Sequence, residues 1–93
     1  MNVVAPGVDI LSTMPNYHVR ANNEGFHPKY DLMSGTSMAA PFVAALAALI
    51  RAKYPDFSAE QVRDRMEETA KSLSPQSADW VGKGLIDVEQ ALL

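Results

Sequence analysis

The sequence predicts an α/β chain, with a β-hairpin or short strands followed by a buried central helix, an amphipathic helix and a short terminal helix. Three observations predict it. Apolar and β-branched residues at 8–13 and 29–33 flank a stretch rich in Pro, Asn and Gly. From Met38 to Ile50 the chain is a run of alanines, other helix formers and apolar residues interrupted only by Pro41. Ser58 then opens a segment whose apolar residues recur at helical spacing.

Taken in order, Pro6-Gly7 breaks the opening stretch and residues 8–13 read as a strand. Residues 15–28, which hold both His18 and His27, show neither a period of 2 nor one of 3.6 and read as a long surface loop. Residues 29–33 return as the second strand. Ser34-Gly35-Thr36-Ser37 makes a tight turn into the central helix at 38–50, with Pro41 placed in the first turn, where an amide lacks an intrahelical partner anyway. Tyr54-Pro55-Asp56 ends that helix. The next is expected at 59–71: Ser58 with Gln61 forms a capping box, and Phe57 with Val62 a hydrophobic staple. Val62, Met66 and Ala70 line its apolar face, while Arg63 with Glu67 and Glu67 with Lys71 pair at i, i+4 on the other. Ser74-Pro75 breaks the chain, Gly82-Lys83-Gly84 turns it, and Asp87 with Gln90 offers a second capping box for a helix at 88–92.

Composition narrows the function classes. Of 93 residues, 47% are apolar and 20% charged, the balance of a globular chain and not of a disordered one. The net charge is 8 − 11 = −3, with basic residues scattered singly, so there is no electrostatic footprint for nucleic acid. The absence of cysteine excludes disulfides, iron–sulfur clusters and Cys-based zinc sites. His18 and His27, nine residues apart in a loop, make no recognised metal-ligand spacing, and neither a metal nor a cofactor is called for. Residues 1–7 have neither a basic nor a long apolar segment, so no secretory signal is expected within these residues. The apolar run at 38–50 is shorter than the roughly 20 residues a membrane span needs. A helix apolar on all faces needs layers above and below it, more than one amphipathic helix, a terminal helix and a hairpin supply. The chain is therefore read as part of a larger domain, or as one that must associate.

Ser37 stands where a strand-to-helix turn exposes a hydroxyl beside the amides of a helix N-terminus, the geometry nucleophilic acyl transfer uses. By itself this also describes a plain N-cap serine. The string Gly35-Thr36-Ser37-Met38-Ala39-Ala40-Pro41, however, resembles the nucleophile motif of the subtilisin-like serine proteases, the subtilases. Val4-Ala5-Pro6-Gly7-Val8 with Ile10, Ser12 and Thr13 resembles the segment that precedes the motif, and Gly82-Lys83-Gly84-Leu85-Ile86-Asp87-Val88 the closing segment. The resemblance runs in order over nearly the whole chain. It implies a three-layer α/β fold with a parallel sheet, of which residues 1–93 are the C-terminal portion of the catalytic domain, and a serine endopeptidase activity.

It further implies that Ser37 is the nucleophile and gives its backbone amide to the oxyanion hole, with Thr36 supporting that hole. Leu32, Met33, Ser34 and Gly35 match the stretch edging the substrate cleft, and Met38 would border the leaving-group side, open to sulfoxidation. Phe42 stands where members commonly carry His and Ala45 where they commonly carry Gly, and the loop from Pro15 to Pro28 is longer than in compact members. In the family's order the catalytic Asp and His and the side-chain oxyanion donor Asn precede the nucleophile, in segments that this sequence does not match. His18 and His27 lie outside the family's histidine motif. The implied partners are a peptide or protein substrate and the missing N-terminal part of the domain, with self-association of the isolated chain, and no nucleic acid or membrane. An extracellular location follows from the resemblance alone. Three readings stay open: an enzyme fragment inactive alone, a catalytically dead module that self-associates or docks on a partner, and one chain of a two-chain enzyme.

Overall fold

The structure is a computed structural model that describes residues 2–73 and 82–93. The expected hairpin is present: β1 (Ile10–Thr13) and β2 (Tyr30–Met33) pair antiparallel, Ile10 opposite Met33 and Thr13 opposite Tyr30. Both strands start later than the apolar pattern indicates. Asp9 and Lys29, just before them, have φ of 51° and 72°, a left-handed conformation that no strand accommodates. The loop between the strands is not irregular throughout, as expected for 15–28, because it contains one helical turn, α1 (Arg20–Asn23). A single side chain organises that turn: Asn22 Oδ1 accepts from the Val19 amide at 2.6 Å and Asn22 Nδ2 donates to the Phe26 carbonyl at 2.9 Å.

The central helix, α2 (Thr36–Lys53), is 18 residues long and begins two residues before the expected start. Gly35 is its N-cap, so Pro41 is the sixth helical residue and not part of the first turn. Its missing N–H leaves the Ser37 carbonyl without an i+4 donor, and its ring crowds that carbonyl. Burial of α2 is confined to one line. Leu46 and Ile50 are fully buried, whereas Phe42 and Leu49 are 41% and 47% exposed. The expected burial on every side is thus not supplied by the described residues. At 18 residues and mean hydropathy 1.2, α2 also reaches the length and composition of a marginal membrane span. Its Leu46 and Ile50 nevertheless pack into a protein core.

That core is made with α3 (Ala59–Thr69), whose capping box forms as expected: Gln61 N donates to Ser58 Oγ at 3.2 Å and Ser58 N to Gln61 Oε1 at 2.8 Å. Val62 and Met66 are its buried pair. The helix stops short of 71 because Lys71 leaves it to form an antiparallel bridge with Leu85, their amides and carbonyls exchanging bonds of 2.6 and 2.9 Å. Lys71 is then out of reach of Glu67, and Arg63 pairs with Glu60 at 3.6 Å instead of with Glu67. Leu85 also bridges Val4 in parallel, so the first and last segments of the chain meet. Gly84, at φ 112°, lies so close that a Cβ there would stand 2.0 Å from the Lys71 carbonyl oxygen.

The chain closes with α4 (Val88–Ala91), whose Asp87 cap accepts from the Gln90 amide at 3.0 Å and whose Ala91 is fully buried in the core. Its free carbonyls find donors on α2 and α3. Arg65 donates to Ala91 and Leu93, both at 3.0 Å, Tyr54 Oη to Leu93 at 2.7 Å, and Lys53 Nζ to Leu92. The expected break at Ser74-Pro75 lies outside the described residues.

Leu46, Ile50, Val62, Met66 and Ala91 are the whole buried core among the described residues. The radius of gyration is 15.8 Å, where a compact chain of this length has about 12 Å. The accessible surface is 6678 Å², where a folded monomer of this mass exposes about 5,300 Å². The isolated chain should therefore bind an apolar-sensing dye and show a concentration-dependent mass in sedimentation equilibrium; a dye-silent monomer with cooperative melting would contradict this. Gly84→Ala should cost about 2 kcal/mol or more in urea unfolding of the complete protein, because it forces the Lys71 strand away.

Candidate active site

Two backbones cross beneath the first turn of α2. The Gly35 amide donates to the Gly7 carbonyl at 2.7 Å, and a Cβ at Gly7 would lie 2.7 Å from the Gly35 oxygen. The Asp9 amide donates to Ser34 Oγ at 2.8 Å, pinning the same turn a second time. Gly35 itself has φ 147°, open to glycine and strained for other residues. Its carbonyl accepts from the Met38 and Ala39 amides at 3.1 and 3.3 Å, and the helix starts there.

Ser37 is consequently the second helical residue, exposed, and not the N-cap. The amides of Thr36 and Ser37 come before any intrahelical acceptor and donate to nothing among the described residues. An exposed hydroxyl thus sits beside two free N–H groups at the positive end of an 18-residue helix.

A cavity of about 450 Å³ lies between the hairpin and the first turns of α2, walled by Ser37, Met38, Pro41, Met33, Asp31 and Ser12 among others. Of the predicted cleft residues, Met33, Ser37 and Met38 come together on it. Leu32 does not, since alternation along β2 puts it on the opposite face, 48% exposed. Ser34 has its hydroxyl engaged by Asp9, Gly35 caps the helix, and Thr36 is exposed at the helix start. Neither histidine lines the cavity. His18 Nε2 is 3.0 Å from Asn23 Oδ1, a contact local to its loop.

Sequence reasoning missed Asp31. Its Oδ2 accepts from the His27 amide and its Oδ1 from the Leu32 amide, each at 2.6 Å. These bonds, the His27 one first, hold the carboxyl below the ordinary 3.8. The available signal was period-2 alternation: a carboxylate two residues before Met33 must share its face.

The subtilase family model matches residues 1–84. The chain belongs to the subtilase family. It is 45% identical over 91 residues to subtilisin DY of Bacillus licheniformis, covering 98% of this chain and 28% of that protein. To subtilisin E of Bacillus subtilis it is 44% identical over 91 residues, covering 98% of this chain and 20% of that protein. Among solved structures it is similar to fervidolysin from Fervidobacterium pennivorans, a keratinolytic enzyme related to subtilisin. That match has a TM-score of 0.76 at 35% identity, over 94% of this chain and 14% of that one. A lanthipeptide protease matches with a TM-score of 0.76 at 30% identity, over 99% of this chain and 34% of that one. The described elements are thus those of a subtilisin-like α/β fold, and the chain spans between 14% and 34% of these proteins.

Asp31 gives the site a pH signature. Its lowered pKa means that the two amide bonds are present above the unfolded value and are lost as pH falls through the folded one. Exchange protection factors of the His27 and Leu32 amides should stay constant from neutral pH down to 3.8 and collapse only below it. In Asp31→Ala they should be low at every pH; protection surviving there would refute the assignment.

Proposed function

We propose that this chain carries the nucleophile of a subtilisin-like serine endopeptidase and is inactive by itself. The observation that carries the reading is Ser37: an exposed hydroxyl at the second position of α2, beside unengaged amides, on the wall of a cavity. Its Oγ attacks the scissile carbonyl carbon and passes its proton to a base; the C–O bond forms as the carbonyl becomes an oxyanion. The Ser37 amide receives that oxyanion, with Thr36 supporting the hole. Collapse breaks the C–N bond, the base returns the proton to the leaving amine, and water then releases the acyl group. Met33 and Met38 form one edge of the cleft, Ser34 and Gly35 build the turn behind it, and Leu32 faces away.

The base comes from outside this chain. His18 and His27 belong to the loop after β1 and do not reach the cavity. A serine without a base is a weak nucleophile. The exposed Leu49 side of α2, away from the cavity, is where the remaining part of the catalytic domain packs. An extracellular location belongs to the same proposal. The exposed α2 surface also favours a second reading, in which the chain only docks on a partner.

Co-refolding this chain with the upstream part of the catalytic domain separates the two. The mixture should cleave a chromogenic peptide, each part alone should not, and Ser37→Ala should abolish the activity. The isolated chain should react with a fluorophosphonate no faster than a surface serine does. A stable complex that stays inactive with its upstream Asp, His and Asn intact would remove Ser37 from the role and leave the docking reading.

A further inference from the structure

The cavity beside Ser37 is not uniform along its length. The inner face of the hairpin carries two cross-strand pairs, Ile10 with Met33 nearest α2 and Ser12 with Asp31 one step further out. Two residues along a strand span about 6.6 Å. Near Ser37 the cavity is therefore walled by Met33, Met38 and Phe42, and its outer end holds the Asp31 carboxylate with the hydroxyl-bearing residues Ser12 and Thr13.

The Asp31 carboxylate is fixed and unpaired in charge. Two amides, one on each oxygen, hold its orientation, and a carboxylate has about four acceptor positions, so half remain open. Among the described residues no Lys, Arg or His side chain forms an ion pair with Asp31. The one ion pair among the described residues, Arg63 with Glu60, is on α3. An immobilised anion at the end of an apolar channel fits a side chain with a long aliphatic stem and a cationic tip.

We propose that the cavity receives a Lys or Arg side chain from the leaving-group side of the peptide, the stem lying against Met33, Met38 and Phe42 and the cation meeting Asp31. This rests on the reading of Ser37 as nucleophile. Asp31 is then a specificity residue: it contacts substrate and takes no part in the bond changes.

The test uses the complete catalytic domain that contains this chain and a peptide series varied at the first three leaving-group positions. At one of them, Lys or Arg should raise kcat/KM over Leu by about three- to tenfold, and Glu should lower it. Asp31→Asn should bring the Lys-to-Leu ratio close to one and relieve the rejection of Glu, Asp31→Glu should keep most of the preference, and Asp64→Asn on α3 should keep all of it. Equal rates for Lys, Leu and Glu in the wild type, or a ratio unmoved by Asp31→Asn, would overturn the inference while Ser37-dependent cleavage stands. Should cleavage not depend on Ser37, binding decides separately. In Ser37→Ala, a peptide amide beginning with Lys should bind tighter than its Leu counterpart, and Asp31→Asn should abolish the difference; equal affinities would overturn it.

Discussion

Everything at the reactive end of the chain depends on the crossing of two backbones at Gly7 and Gly35. The amide-to-carbonyl bond of 2.7 Å leaves no room for a side chain at Gly7, and the φ of 147° at Gly35 disfavours one there. The turn is thereby held low against the opening segment, with Asp9 and Ser34 adding a second bond. Because Gly35 then offers its carbonyl to Met38 and Ala39, α2 starts at Thr36 and Ser37 falls in the first turn, its hydroxyl exposed and its amide unused. A larger residue at either glycine would move the helix start and with it the free amide.

This crossing carries so much because hydrophobic burial does little at that end. The two buried residues of α2, Leu46 and Ile50, lie in its second half, against Val62, Met66 and Ala91. Between Thr36 and Ala45 no residue is fully buried. The core anchors the far end of the helix, and backbone hydrogen bonds to a short hairpin position the near one. A two-stranded hairpin is marginal in water unless something packs on it. The large surface and radius of gyration express the same deficit.

Features governed by a strong local rule were legible in the sequence. The Ser58–Gln61 capping box and the stop at Tyr54 rest on neighbouring residues, and the hairpin on two apolar stretches flanking a turn-rich loop; all three read correctly. What failed was decided by contacts between distant segments. The start of α2 was misplaced because Gly35 takes its conformation from Gly7, twenty-eight positions away. The end of α3 was misplaced because Lys71 prefers the Leu85 ladder to another helical turn. The turn at Arg20–Asn23 has no periodicity to find, since one asparagine side chain holds it. Burial of α2 was inferred from composition, which records what the helix face would accept and not what these residues supply.

Asp31 shows how recognition and folding can share one group. Its carboxylate closes the loop onto β2 through the His27 and Leu32 amides, and the same bonds fix it where Asp31 lines the cavity. The loop between the strands therefore needs little core of its own: Asn22 knots its middle and Asp31 its end. A cation arriving at Asp31 would stabilise the ionised form that those amides already favour, so ligand binding and order in the hairpin are thermodynamically linked and reinforce each other. That linkage reaches Ser37 through β2 itself, because Met33 leads directly into the Ser34-Gly35 turn. A charge two residues from Met33 is thus coupled to Ser37 by one continuous, hydrogen-bonded segment of chain.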